Sequence, residues 1–207
     1  MNTLVITTPN NKERSANVTS QFEKQSFKYT RHEFVQIEAI MMSSQPAVGI
    51  MQSFQKAVLY AKMKDWEAVA IFEDDVNFLI PRSLEMFFDI WNHYKPFQKH
   101  GDILLGGIYE GKLSKFSENV SKIDGKFSGL HATIIPKKTY NLILEAQQPY
   151  NLDHWLSTMS KANVFVCDPM LIMQKDGYSF NAKCETAYNK MIHKKYNLIS
   201  YDNTKTD

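Results

Sequence analysis

Apolar positions along the chain follow two alternating periods. Short β-branched or continuous apolar runs at 3–8, 33–39, 68–72, 102–105 and 130–135 predict strands. Between them, apolar residues recur at helical spacing. A helix over 13–24 follows the turn-rich Pro9-Asn10-Asn11. Ser43-Ser44-Gln45-Pro46 breaks the second strand. From Gly49, a helix follows that carries Ile50, Phe54, Ala57, Val58 and Ala61 on one face. Pro81 opens another helix, with Leu84, Phe87, Phe88 and Trp91 as its stripe. Gly106-Gly107 closes the fourth strand. Residues 108–128 are polar and glycine-bearing and read as a long loop or a small hairpin. A helix is predicted from Pro136 to about Gln147, and a second near Asn151 with Leu152, Trp155, Leu156 and Met159. Residues 164–173 are strand-like, interrupted at Asp168-Pro169. Alternation of this kind predicts one three-layer α/β domain over 1–207 with a mostly parallel central sheet. Its core is expected over 3–175, with a polar tail at 176–207 whose end is expected to be mobile.

Composition narrows the class without naming it. Hydrophobic residues make up 43% and charged residues 22% of 207, the balance of an ordinary globular protein. The net charge of +2 comes from scattered lysines, which argues against a nucleic-acid binder. No apolar run approaches the length that spans a bilayer, so no transmembrane segment is expected. Cys167 and Cys184 form neither a CxxC pair nor a disulfide framework. With no secretion signal in the first residues, a reducing, cytoplasmic setting is expected, the host cytoplasm for a viral protein.

The chemistry concentrates at Ile71-Phe72-Glu73-Asp74-Asp75-Val76. A buried strand delivers three carboxylates to its carboxyl end, where open α/β sheets bind ligands. Packed carboxylates repel one another unless a cation relieves them. Hard oxygen ligands suit Mg²⁺ or Mn²⁺, and Mg²⁺ uses one or two carboxylates plus substrate phosphates. A metal–diphosphate site is therefore one reading. An acidic, solvated turn is the other.

The motifs that follow resemble those of a known family. Val-Ala-Ile-Phe-Glu-Asp-Asp-Val is followed by Gly129-Leu130-His131-Ala132-Thr133 and then by Asn151-Leu152-Asp153-His154-Trp155-Leu156. In that order they resemble glycosyltransferases of the GT-A fold, above all the lipopolysaccharide-type family 25 and small viral domains like it. The chain departs from that family where Ser53 precedes Phe54 rather than a histidine. The resemblance implies a nucleotide-diphospho-sugar transferase of hexosyltransferase type. Its donor would be a UDP-sugar, its acceptor the hydroxyl of a glycan, its cofactor Mn²⁺ or Mg²⁺ and its stereochemistry inverting. It also assigns roles. Asp75 would hold the metal, with Glu73 facing the metal or the ribose and Asp74 holding the loop. Thr7, Thr8 and Arg14 would join the three acids in binding the donor. Asp153 would be the catalytic base, although an Asp in a helix first turn is also an ordinary helix start. His131, His154 and Trp155 would contact sugar, with one of the last two facing the site. His193 is a guess for a late metal ligand. Two other classes stay open: a phosphohydrolase or nucleotidyltransferase that groups acids at strand ends, and a carbohydrate-binding module without turnover. The first strand ends Thr7-Thr8-Pro9 instead of in a nucleophilic aspartate, which counts against a phosphohydrolase.

Overall fold

A computed structural model describes residues 1–25, 34–94, 101–147, 151–158, 162–179 and 184–186. The apolar runs become strands and the amphipathic stretches become helices, in alternation. β1 (Asn2–Thr7) leads through the Pro9 turn into α1 (Lys12–Glu23). β2 (Val35–Glu38) precedes α2 (Pro46–Met63), where Pro46 sits in the first turn and needs no hydrogen-bond partner. β3 (Ala68–Glu73), β4 (Val76–Phe78) and α3 (Ser83–His93) follow. Next come β5 (Ile103–Leu105), β6 (Glu110–Ser117), β7 (Val120–Ser128) and β8 (Ala132–Pro136). After a 3₁₀ turn at Lys137–Thr139 come α4 (Tyr140–Leu144), α5 (Leu152–Thr158), β9 (Val164–Cys167) and β10 (Ile172–Gln174). β11 (Gly177–Ser179) and β12 (Cys184–Thr186) pair as a small antiparallel hairpin.

Eight strands form the central sheet in the order β2-β1-β3-β8-β5-β9-β7-β6. β7 and β8 run against the other six, so the sheet is mostly parallel by strand direction. Side chains alternate between its two faces. Leu4, Ile6, Val69, Ile71 and Leu105 pack with α2, α4 and α5. Val5, Ala70, Phe72, Leu104 and Ile134 pack with α1 and α3, where Phe22, Phe72 and Phe87 meet edge to face. These are the three layers the alternation predicts.

Two expectations change. Residues 108–128 form a long hairpin that closes one edge of the sheet. It is polar because β6 is the outermost strand and shows most of its side chains to water. Pro136 does not open a helix. It pairs with Ala68 at the end of β8, where a proline sacrifices little ladder bonding, and helix begins only at Tyr140. Met159 and the tail beyond 186 lie outside the described residues, as does His193.

One feature was not legible beforehand. β10 leaves the central sheet and pairs antiparallel with β4, joining Gln174 to Val76, Met173 to Asn77 and Ile172 to Phe78. Its backbone lies directly on Gly107, where an added Cβ would stand 2.2 Å from the Ile172 carbonyl oxygen. Only glycine allows that approach. The strand that follows the cis Asp168–Pro169 bond is thereby brought beneath the acidic turn.

Candidate active site

β3 is buried between β1 and β8, and it carries Glu73 to the carboxyl edge of the sheet. Its last ladder bond runs from the Glu73 N–H to the His131 carbonyl (3.0 Å). The chain then turns at Asp74-Asp75 into β4. In the turn after the neighbouring strand β1, Asn11 caps α1 by accepting from the Arg14 N–H at 3.0 Å. That cap fixes Arg14 in the first helical turn, with its guanidinium over the acidic turn. Arg14 Nη1 lies 2.8 Å from Asp74 Oδ1 and 3.1 Å from Asp75 Oδ2.

The three carboxylates therefore have three different environments. Asp74 accepts from Arg14 on one oxygen and from the Thr8 N–H (2.6 Å) on the other, while Asn17 donates to its carbonyl at 3.3 Å. It ties the end of β1 to the acidic turn, the loop-holding role anticipated for it. Asp75 Oδ2 accepts from Gln174 Nε2 at 2.5 Å as well as from Arg14. Asp75 Oδ1 is buried and has no hydrogen-bond donor among the described residues. Glu73 keeps part of its surface open to the cavity beside it. Burial, then Asp75 and Asp74, push its pKa well above the usual carboxylate range, with Arg14 opposing. Burial also raises Asp75, against the pull of Arg14 and Gln174.

Three cavities run in a string from this cluster. The first, about 450 Å³, is floored by Ile6 and Thr8, walled by Met41, Met42 and Phe54, and ended by the acids and Arg14. The second, about 110 Å³, shares Ile50, Glu73 and Gln174 with the first and is bounded by Tyr109 and Asp153. The third is a groove of about 690 Å³ under the β6–β7 hairpin, and it shares Asn151 and Asp153 with the second. Glu73 is thus shared by the first and middle cavities, and Asp153 by the middle cavity and the groove. Burial raises the Asp153 pKa, partly offset by the His154 N–H, which donates to Oδ1 at 2.8 Å.

The other anticipated residues sort clearly. Thr8 lines the first cavity. Thr7 is absent from that lining and, by strand alternation, shares the face of Val5. His154 lines the groove, whereas Trp155 packs against the hydrophobic core. His131 has no exposure and lies outside all three cavities. Its ring rests 5.2 Å from that of Tyr109 and its Nε2 is 3.0 Å from the Ile172 carbonyl. A carbonyl only accepts, so Nε2 carries the proton, and Nδ1, also buried, has no donor among the described residues. Gln174 was not anticipated. A lone amide ending the apolar run Leu171-Ile172-Met173 gives no pattern to read.

Among the described residues, no three His, Cys, Asp or Glu side chains converge into a ready-made metal cage. The donor set nevertheless suits a hard cation shared with a ligand. Asp75 Oδ1 is a buried, unused acceptor, Glu73 borders the same cavity, and Mg²⁺ needs only one or two carboxylates beside substrate phosphates.

No protein-family model matches the sequence, and no curated protein is significantly similar to it. Solved structures do match. A glycosyltransferase involved in glycosylation of the major capsid of PBCV-1 aligns over 92% of this chain and 98% of its own, at 11% identity and a TM-score of 0.51. A197 from STIV aligns over 80% and 81%, at 14% identity and a TM-score of 0.50. The chain has the nucleotide-diphospho-sugar transferase (GT-A) fold. At such identities the likeness establishes the fold and does not single out family 25. In this GT-A domain the string of cavities lies at the carboxyl ends of β1 and β3, where an open α/β sheet is expected to bind.

The GT-A core also carries a built-in pH response. Burial lowers the His131 pKa to about 4, against an ordinary 6.5. The unfolded chain therefore takes the proton first. The contribution of His131 to stability is complete above pH 6.5 and is lost as pH falls toward 4, by about 3 kcal/mol at 1.36 kcal/mol per unit, opposite in sign to that of the raised Glu73 and Asp75 carboxyls. Urea titrations at pH 7 and 4.5 should show this loss shrinking in His131→Gln, whose amide can donate to Ile172 but cannot take up a proton.

Proposed function

We propose that the protein transfers a sugar from a nucleoside-diphosphate sugar, a UDP-sugar by family resemblance, to a hydroxyl of a glycan acceptor. The observation that carries this reading is the string of three cavities, in which the middle one shares Glu73 with the first and Asp153 with the groove. The nucleotide occupies the first cavity, its base against the apolar wall and its diphosphate toward Arg14. The sugar lies in the middle cavity. The acceptor enters along the groove.

The chemistry follows from that arrangement. The acceptor oxygen forms a bond to the anomeric carbon as the bond to the diphosphate oxygen breaks. Asp153 takes the acceptor proton. Attack opposite the leaving group, and therefore inversion, is what the family resemblance implies. Arg14 meets the charge that develops on the departing diphosphate. Asp75 and Glu73 would hold a divalent ion, Mn²⁺ or Mg²⁺, which supplies Lewis-acid neutralisation of the same charge when bound.

Slow donor hydrolysis tests the reading. Nucleotide sugars, with and without Mn²⁺, should include one that releases nucleoside diphosphate in a metal-dependent way. Asp75→Ala should lower that release at least ~100-fold, the scale of losing one charge stabiliser. Inorganic diphosphate released from a nucleoside triphosphate and a sugar phosphate would point to nucleotidyl transfer instead. Nucleotide sugar bound without turnover, even with acceptors supplied, would point to a binding module.

A further inference from the structure

Gln174 is the least expected member of the site, and its position is over-determined. β10 is zipped to β4 through three residue pairs, and the Lys175 N–H donates to the Asp75 carbonyl at 2.7 Å. At its other end, the Leu171 and Ile172 N–H groups both reach the Gly106 carbonyl (3.0 and 3.3 Å), while His131 holds the Ile172 carbonyl. The strand cannot slide or lift without breaking several of these contacts. At its end, Gln174 is 9% exposed and borders both the first and the middle cavity.

The orientation of its amide is fixed by chemistry. An ionised carboxylate only accepts, so the group 2.5 Å from Asp75 Oδ2 must be the NH₂. Gln174 and Arg14 together occupy that oxygen, which leaves Oδ1 as the acceptor of Asp75 that no donor among the described residues satisfies. A buried acceptor in this state is costly unless something fills it. Asp75, which lines the first cavity, is therefore held with one oxygen spent on the protein and with acceptor capacity left on the other, buried one.

We propose that Gln174 is a positioning residue for divalent-ion binding in the nucleotide complex. By taking up Asp75 Oδ2, it makes Asp75 a single-oxygen ligand aimed through Oδ1. Outer partners that orient a ligating carboxylate tune metal affinity by roughly 10–100-fold. The inference rests on the nucleotide-sugar reading, and the experiment separates the two.

The test is calorimetry of UDP binding to the full chain, with and without Mn²⁺, for wild type and Gln174→Met. Methionine keeps the length and volume of the side chain and removes the donor. Wild type should bind UDP more tightly with Mn²⁺. In Gln174→Met that advantage should fall at least ~10-fold, a larger loss than any change in metal-free UDP binding. Gln174→Glu, of the same shape but without a donor, should fail to restore the advantage. An undiminished Mn²⁺ advantage in Gln174→Met overturns the inference. So does an equal loss of UDP affinity with and without Mn²⁺, the mark of a merely structural role. Wild type that binds UDP with no Mn²⁺ advantage overturns it too, yet leaves the nucleotide reading standing. Wild type that binds no nucleotide at all overturns both.

Discussion

Asp153→Asn should lower sugar transfer by about 10²- to 10⁴-fold while leaving the dissociation constant for UDP within about twofold of wild type, the range expected for loss of a general base. The substitution keeps the shape of the side chain and an oxygen that can accept the His154 N–H. What it removes is the capacity to hold a proton at the junction of the middle cavity and the groove. Burial raises the Asp153 pKa, so this carboxylate retains a captured proton more firmly than an exposed one. Transfer rates and nucleotide affinity, measured side by side, give a clear reading. A variant that transfers within tenfold of wild type would mean that Asp153 only starts α5. Its second position in that helix would then be explained by the helix dipole alone.

Removal of Arg14 acts on the opposite end of the site and on stability as well as chemistry. Arg14→Met keeps the aliphatic stem and deletes the cation that contacts both aspartates. Breaking a buried pair on one side typically costs 3–5 kcal/mol. Arg14 is 20% exposed, so water recovers part of that loss, and about 2–3 kcal/mol is expected from urea unfolding. The origin of the loss can be isolated. In an Asp74→Asn/Asp75→Asn background, the same change should cost less than ~1 kcal/mol, because no uncompensated charge remains. An equal cost in both backgrounds would assign the stabilisation to packing of the stem.

How far the sequence reached depended on how each element is stabilised. β1, α1, α2 and β3 were legible because each buries a periodic apolar face. The predicted boundaries of α1 fall one residue from those observed. The opposed direction of β8 was not legible, since periodicity records which residues are buried and not which way a strand runs. The β6–β7 hairpin was ambiguous for a different reason. An edge strand facing water has the composition of a loop, and its pairing resides in backbone bonds that leave no mark on side-chain pattern. In the site, Glu73, Asp74, Asp75 and Asp153 stood out because charge at the end of an apolar run, or at the head of a helix, is conspicuous. His131 stood out through the Gly-Leu-His-Ala segment of the resemblance, yet the structure places it in the core, where its Nε2–H bonds the Ile172 carbonyl. Gln174 did not stand out, because its importance comes from a pairing between β10 and β4 that no local window contains.

That pairing has a consequence for the order in which the molecule becomes competent. Gln174 lies 99 positions after Asp75. A nascent chain emerging from the ribosome displays Arg14, the acids and even Asp153 well before the strand that orients Asp75. Until β10 is translated and zipped onto β4, the acidic turn lacks its amide partner and its contact with the Lys175 N–H. Chains arrested before that point would carry the conspicuous residues of the site without its finished geometry. Ligand capture, and the stabilisation a bound ligand confers, would then act as a late proofreading of synthesis through residue 175.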